Sequence, residues 1–405
     1  MSLLRKDRWQ NIDHLVLLEG GATYFPTVEK HLQAATKNIY LETYIFSADV
    51  EAKRISDLLC LAARRGVEVK LIVDWLGSAP LLFEAELLRS GVEICYYNKG
   101  WFGRYGFSRT HRKLLVIDES AAFVGGINIC DDHLDAKGQP IGGVRWDLAV
   151  QVSGEIVEDV HAAFLRQWQR LEVGALHPKN IIKRIFQQEL PWTSKHFLGI
   201  RHSSSSGIAF IARDNLHHRR DIERAYLKAI GQSREEIWLV SPYFMPAKLL
   251  RRSLIKAAQR GVSVNLLLGG GEFVALDWAM PSLYGQFLEA DINIYEYSGH
   301  GHLHAKAMVV DRQWATVGSS NCDHLSFFLN HEANLVIRHH EVVKEIQQRI
   351  SDQAHHFASS IDRDVYMTRS IFLKIANWMS YQIVRFMMGL LVIGIKDKAF
   401  INQED

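Results

Sequence analysis

The chain is poor in the features that mark several classes of protein. It has only four cysteines among 405 residues, Cys60, Cys95, Cys130 and Cys322, and no two form a Cys-x-x-Cys pair. That spacing argues against a zinc ribbon or a disulfide scaffold and for free thiols in a reducing compartment. Charge of one sign is also missing: 47 Lys+Arg stand against 45 Asp+Glu, a net charge of +2. A protein relying on non-specific nucleic-acid binding needs a clear basic excess, so no nucleic-acid partner is expected. Long apolar runs are absent. The longest candidate, Phe386 to Ile395, has 10 residues, against the ~20 that span a bilayer. The first residues, MSLLRKDRWQ, are basic but lead into no apolar stretch, so no signal peptide is expected.

What is present is an ordinary globular composition, 48% hydrophobic and 23% charged, at a length suited to two or three domains. The chain also repeats itself. Arg65-Gly66-Val67 through Val73 returns as Arg260-Gly261-Val262 through Leu268. Apolar runs precede each copy, Ile39 to Phe46 and Ile237 to Phe244, and alternating runs follow, Val92 to Tyr97 and Ile292 to Tyr297. Four matches in one order make two similar halves. Leu71 to Asp74 and Leu114 to Asp118 read as strands, and Glu51 to Arg65 and Lys248 to Arg260 as helices closed by Gly66 and Gly261. The expected fold is therefore α/β: two domains forming a pseudo-dimer, each a mixed or parallel sheet flanked by helices. The expected boundaries are 10–175 and 208–360, joined by a linker at 176–207 where Pro178, Pro191 and Ser203 to Gly207 punctuate the chain. A helical segment at 365–400 follows.

Of the 19 histidines, two recur within a longer pattern: His-x-Lys, then Asp, Gly and Asn at fixed intervals. The first copy is His111, Lys113, Asp118, Gly125 and Asn128, and the second is His304, Lys306, Asp311, Gly318 and Asn321. A carboxylate follows each, Asp147 and Glu332. On an extended strand, residues i and i+2 share a face, so each histidine would enter the site beside its lysine. A lysine there opposes a metal cation and suits an anion; no metal or other cofactor is expected. Lys113 and Lys306, with the amides of Asn128 and Asn321, suit the oxygens of a phosphoryl group. Asp147 and Glu332 are suited to accept Nδ1–H bonds and orient the rings. Asp118 and Asp311 end their strands, where each would fix the following turn or meet a buried partner.

The doubled His-x-Lys-x4-Asp motif resembles the phospholipase D superfamily. Within it the chain is similar to bacterial cardiolipin synthases of the shorter type, without N-terminal membrane helices. The likeness rests on Leu41-Glu42-Thr43-Tyr44, His111-Arg112-Lys113, Val124 to Asn128, Arg213-Asp214-Asn215, Asp221 to Arg224 and Trp314 to Asn321, and covers roughly residues 10–360. It implies that His111, Lys113, Asp118, His304, Lys306 and Asp311 form the catalytic motif set. It also implies a metal-free phosphatidyl transfer through a covalent phosphohistidine. His111 is taken as nucleophile and His304 as general acid and base, following the commoner precedent of the family. The implied substrates are two phosphatidylglycerol molecules giving cardiolipin and glycerol; phosphatidylethanolamine is a second allowed donor. The pseudo-dimer completes the site in one chain, so no oligomer is required. The alternatives are another phosphodiesterase of the superfamily (a phospholipase D, a phosphatidylserine synthase or a nuclease) or a lipid-binding protein without catalysis.

Lipid substrates imply a membrane surface as partner, and a peripheral place on the bacterial inner membrane, at its cytoplasmic face. Two segments are suited to meet it. Residues 98–110 carry Trp101, Phe102, Arg104, Tyr105, Phe107 and Arg109. Residues 370–396 place Lys374, Arg385 and Lys396 at intervals of 11, on one face of a helix whose apolar positions interrupt with Asn377 and Gln382. An interfacial amphipathic helix is the favoured reading of this segment, over a spanning helix or a core helix.

Overall fold

The computed structural model describes residues 9–175 and 207–401, apart from Trp101, Phe102, Arg104, Ala136, Lys137, Leu216, His217, Glu272, Phe273 and His300. The proposed linker, but for Gly207, lies outside the described residues, as do the aromatic pair and the first arginine of the 98–110 loop.

The two halves fold alike. The first sheet contains β1 (His14–Glu19), β2 (Asn38–Thr43), β3 (Glu68–Asp74), β4 (Glu93–Tyr97), β5 (Leu114–Ile117), β6 (Ala121–Gly125) and β7 (Leu148–Ser153), in the order β1-β7-β6-β5-β2-β3-β4. The second contains β8 (Gly207–Arg213), β9 (Glu236–Ser241), β10 (Ser263–Leu268), β11 (Asn293–Tyr297), β12 (Ala307–Val310), β13 (Trp314–Gly318), β14 (Glu332–Arg338) and β15 (Ala358–Ser360). Its order, β15-β11-β10-β9-β12-β13-β14-β8, reproduces the first and adds β15 at one edge. Both sheets are mixed. Only the β2–β3–β4 and β9–β10–β11 pairs are parallel, and the remaining pairs are antiparallel.

The parallel strands require crossovers, which the Val50–Arg64 and Lys248–Gln259 helices supply. Each ends one residue before an arginine and then Gly66 or Gly261 at φ +90°, a left-handed position that favours glycine. One hydrophobic core spans both halves. It joins Val116, Val124, Val150 and Phe164 of the first to Val240, Val309, Leu335 and Ile346 of the second. The halves therefore bury one another and do not merely sit on a tether.

Asp118 and Asp311 close the far ends of β5 and β12, both at φ 52°. Asp118 accepts the backbone N–H of Thr36 at 2.9 Å, Lys37 at 2.7 Å and Asn38 at 3.1 Å. Asp311 accepts those of Arg234 at 2.8 Å, Glu235 at 2.8 Å and Glu236 at 2.9 Å. Each carboxylate thus fastens the start of the neighbouring strand, β2 or β9, to its own hairpin. Partial burial of Asp118 would raise its pKa, but the N–H groups of Lys37, Thr36 and Asn38 outweigh it and hold the carboxyl below its ordinary value.

A carboxylate held low stabilises the fold fully above its unfolded-state value and loses that contribution as pH falls through the lower folded value. Asp118→Ala should cost about 1–2 kcal/mol at pH 7, limited by the partial exposure of the group. The deficit should shrink as denaturation is repeated at falling pH. A difference independent of pH would contradict this role.

Candidate active site

The two catalytic motifs meet where the halves meet. The residue before each histidine forms a parallel bridge with the residue before the other half's carboxylate: Thr110 with His331, and Leu303 with Trp146. The His111 N–H donates to the His331 carbonyl at 2.9 Å, and the His304 N–H donates to the Trp146 carbonyl at 2.8 Å. The shared face expected of each His-x-Lys pair rests on an extended backbone. In the structure both motifs lie just before β5 and β12. They are held by the opposite half through single bridges, not by a sheet of their own.

This stitching crosses the pairs. His111 Nδ1 lies 3.2 Å from Glu332 Oε2 and 3.0 Å from the Ser319 carbonyl. His304 Nδ1 lies 2.6 Å from Asp147 Oδ2. Each histidine is oriented by the carboxylate of the other repeat. With Nδ1 engaged by a carboxylate, Nε2 is the ring nitrogen suited to meet substrate. The lysines flank the pairs. Lys113 Nζ donates to the His111 carbonyl at 2.8 Å, and Lys306 Nζ to the His304 carbonyl. Tyr44 sets its ring edge-on to His111 with centroids 5.1 Å apart, and Lys113 Nζ sits 5.4 Å from the same ring's centroid.

The electrostatics follow from burial. Burial and the charge of Lys113 push His111 below its ordinary value, against the opposing pull of Glu332. Burial and the facing charge of Lys306 bring Lys113 down to about 7. Burial raises Asp147 to about 6, with Lys306 pulling the other way. Burial would raise Glu332 as well, but His111, Lys113 and the Ser319 hydroxyl together hold it below its usual range. The two orienting carboxylates therefore differ.

Their immediate surroundings explain the difference. A Cβ at Gly126 would stand 2.2 Å from Asp147 Oδ1, so only glycine lets that carboxylate lie against the β6 backbone. The matching residue in the second half is Ser319, whose hydroxyl donates to Glu332. Asn128 and Asn321 are both buried in the loops after β6 and β13. Asn128 Oδ1 accepts the Ile45 N–H at 3.2 Å. Asn321 Oδ1 and the neighbouring Ser320 Oγ are buried with no hydrogen-bond partner. Asp118 and Asp311 are not brought to the histidines. Their carboxylates bind backbone at the opposite ends of β5 and β12, which fits the turn-fixing reading and not contact with a reacting group. Among the described residues, no cluster of three or more His, Cys, Asp and Glu side chains is arranged to hold a metal ion.

A second polar layer lies behind His111 in the first half. Thr110 donates its N–H to Asp74 Oδ2 at 2.9 Å and its hydroxyl to Glu42. Arg112 Nη1 is 3.8 Å from Glu42 Oε2. Glu42, Asp74 and Thr110 are essentially inaccessible. Burial raises Glu42 against the charge of Arg112 and raises Asp74 to about 7 against that of Arg109. Strand register places Val240, Gly269, Leu303 and Ala305 at the matching positions of the second half. The repeat search passed over Glu42 and Asp74 because it compared what the halves share. The usable signal was a carboxylate inside an apolar strand run, at Glu42 and again at Asp74. In the 98–110 loop, Tyr105 stacks on Tyr97 and the Arg109 guanidinium is buried on the carbonyls of Asn98 and Gly100. These two side chains pack on their own half and do not face outward.

Two histidines, each oriented by a carboxylate and flanked by lysines, define a phosphodiester-processing enzyme on a duplicated α/β fold. The family model described as "Cardiolipin synthase, PLD-like domain" matches residues 28–168 and 226–353. The cardiolipin synthase B of Salmonella typhimurium is 36% identical over 338 residues, covering 81% of this chain and 77% of that protein. The cardiolipin synthase B of Escherichia coli is 35% identical over 341 residues, covering 82% and 78%. A cardiolipin synthase of Geobacillus is 30% identical over 370 residues, covering 90% and 70%. The solved phosphatidylserine synthase of Haemophilus influenzae shares the fold at a TM-score of 0.70 and 13% identity, over 95% of this chain and 96% of that one. The chain belongs to the phospholipase D-like cardiolipin synthase family.

Thr110→Val should preserve shape while taking the hydroxyl from buried Glu42, at a cost of about 1–3 kcal/mol in urea denaturation. Thr110→Ser should retain wild-type stability. Equal stability of the valine and serine variants would show that the Glu42 contact is dispensable.

Proposed function

We propose that the crossed His111–Glu332 and His304–Asp147 pairs transfer a phosphatidyl group from one phosphatidylglycerol to the glycerol hydroxyl of a second, giving cardiolipin and free glycerol. As a member of this family the chain is a phosphatidyltransferase of the phospholipase D type. The observation that carries the reading is that each pair draws one member from each half. Neither half alone has an oriented histidine.

In the proposed first step, His111 Nε2 attacks the phosphorus. The N–P bond forms as the P–O bond to the glycerol headgroup breaks, and His304 gives its proton to the departing alkoxide. In the second step the acceptor lipid's hydroxyl returns a proton to His304 and its oxygen attacks the phosphorus, releasing His111. The depressed basicity of His111 supports its role as the neutral nucleophile. A proton donor needs the opposite bias, and the 2.6 Å contact with Asp147 supports His304 in that role. Lys113, Lys306, Asn128 and Asn321 are the proposed grip on the phosphoryl oxygens. The two ammonium groups disfavour a resident cation at the same place. Asp118 and Asp311 support the motifs from behind. The fit of both lipids to one phosphoryl site also accommodates phosphatidylethanolamine as donor. The proposed place of action is the surface of the bacterial cell membrane.

Expression in a bacterium lacking cardiolipin should restore it in the lipid profile, and His111→Ala and His304→Ala should each abolish it. Acid-labile phosphate should be trapped on His111 in the His304→Ala background. Well-expressed protein without cardiolipin would overturn the synthase reading. Trapping on His304 in the His111→Ala protein would instead reverse the two roles.

A further inference from the structure

The Ile371–Ile401 helix docks on the second half by one stripe. Asn377, Tyr381 and Met388 are buried, and Val384 packs against the same core. Its supports are the Val274–Ala279 helix and the Met280–Leu283 turn. The opposite face is apolar and, among the described residues, uncovered: Phe372 is 80% exposed, Trp378 57% and Phe386 66%, with Ile375, Met379 and Met387 beside them. Soluble surfaces rarely carry a continuous apolar strip along a helix of this length. From Ser370 to Lys396 the chain holds Lys374, Arg385 and Lys396 and no carboxylate. An apolar face with cations and a tryptophan complements an anionic lipid surface. A second copy of the chain would bring the same cations against each other. Among the described residues, no helix is long and apolar enough to cross a membrane.

The supporting wall connects this face to the catalytic site. Val274 and Trp278 of the short helix are themselves exposed. On its inner side, Leu276, Asp277 and the following Met280 line a small cleft of mixed polarity with Tyr243, His302 and Leu303. Leu303 directly precedes His304. Where the first half places Glu42, Asp74 and Thr110, the second places the uncharged Val240, Gly269 and Leu303.

We propose that the outer face of the Ile371–Ile401 helix between Phe372 and Leu390, extended by Val274 and Trp278, is a docking surface for an anionic phospholipid bilayer. It lies in the interface and turns the Leu303 cleft toward the membrane, so that lipid enters beside His304. The entrance part of this proposal rests on the phosphatidyl-transfer reading above; the docking part does not.

The test is co-sedimentation of the full chain with vesicles of phosphatidylglycerol and phosphatidylethanolamine, alongside turnover of vesicle-borne and of short-chain, monomeric phosphatidylglycerol. Trp378→Glu with Phe386→Glu should weaken vesicle binding at least about tenfold. Turnover of vesicle substrate should fall in parallel, while turnover of monomeric substrate stays within about twofold. Val50→Glu, at an exposed apolar position on the first half, should change neither. Undiminished vesicle binding by the double variant would overturn the proposal. So would a wild-type dimer that the double variant dissolves without loss of vesicle binding, since that face would then belong to a second copy. Turnover of monomeric substrate falling as far as that of vesicle substrate would overturn the entrance. Wild-type protein that binds vesicles through this face but turns over no lipid would refute the transfer reading and leave the docking surface standing.

Discussion

The site depends on one constraint: each catalytic histidine is oriented by a carboxylate from the other repeat. Two short bridges, Thr110 with His331 and Leu303 with Trp146, fix this exchange at the backbone level. They bring the His111 and His304 N–H groups onto carbonyls one residue from Glu332 and Asp147. The shared core beneath the two sheets keeps the bridges in register. Folding one half correctly is therefore not enough to pair its histidine with a carboxylate.

The repeats are equal in fold and unequal in chemistry. Ser319 donates to Glu332, whereas Gly126 only makes room for Asp147. Glu42 and Asp74 hold Thr110 from behind, whereas the uncharged Val240 and Gly269 stand at the matching positions behind Leu303. A two-step transfer needs this inequality, because one imidazole must be neutral when the other carries a proton. The same inequality backs one side of the site with carboxylates and the other with uncharged residues.

Much of this was legible in the sequence. The two halves, their strand and helix order and the glycines closing the crossover helices followed from the repeat and its periodicity. The candidate set of His111, Lys113, Asp147, Asn128 and their partners followed from the motif. The crossing did not, because intervals along the chain cannot say whether Asp147 faces His111 or His304. Only the inter-half bridges decide that. For the same reason the bridges that hold each His-x-Lys segment to the opposite half could not be read from local sequence. Glu42 was visible only as part of the family likeness and Asp74 only as a strand end, because the partners that give them a role, Thr110 and Arg112, are distant in sequence. The exposed strip from Phe372 to Met387 was visible as an amphipathic pattern, but its junction with the Leu303 cleft is a tertiary fact.

The crossed pairing is tested most directly by following the ring nitrogens of His111 and His304 by 15N NMR across a pH titration, in the wild type and in Glu332→Gln. Glu332 favours the protonated form of His111, so its neutralisation should lower the His111 midpoint and leave that of His304 nearly unchanged. A midpoint that moves at His304 while His111 stays fixed would contradict the crossed arrangement.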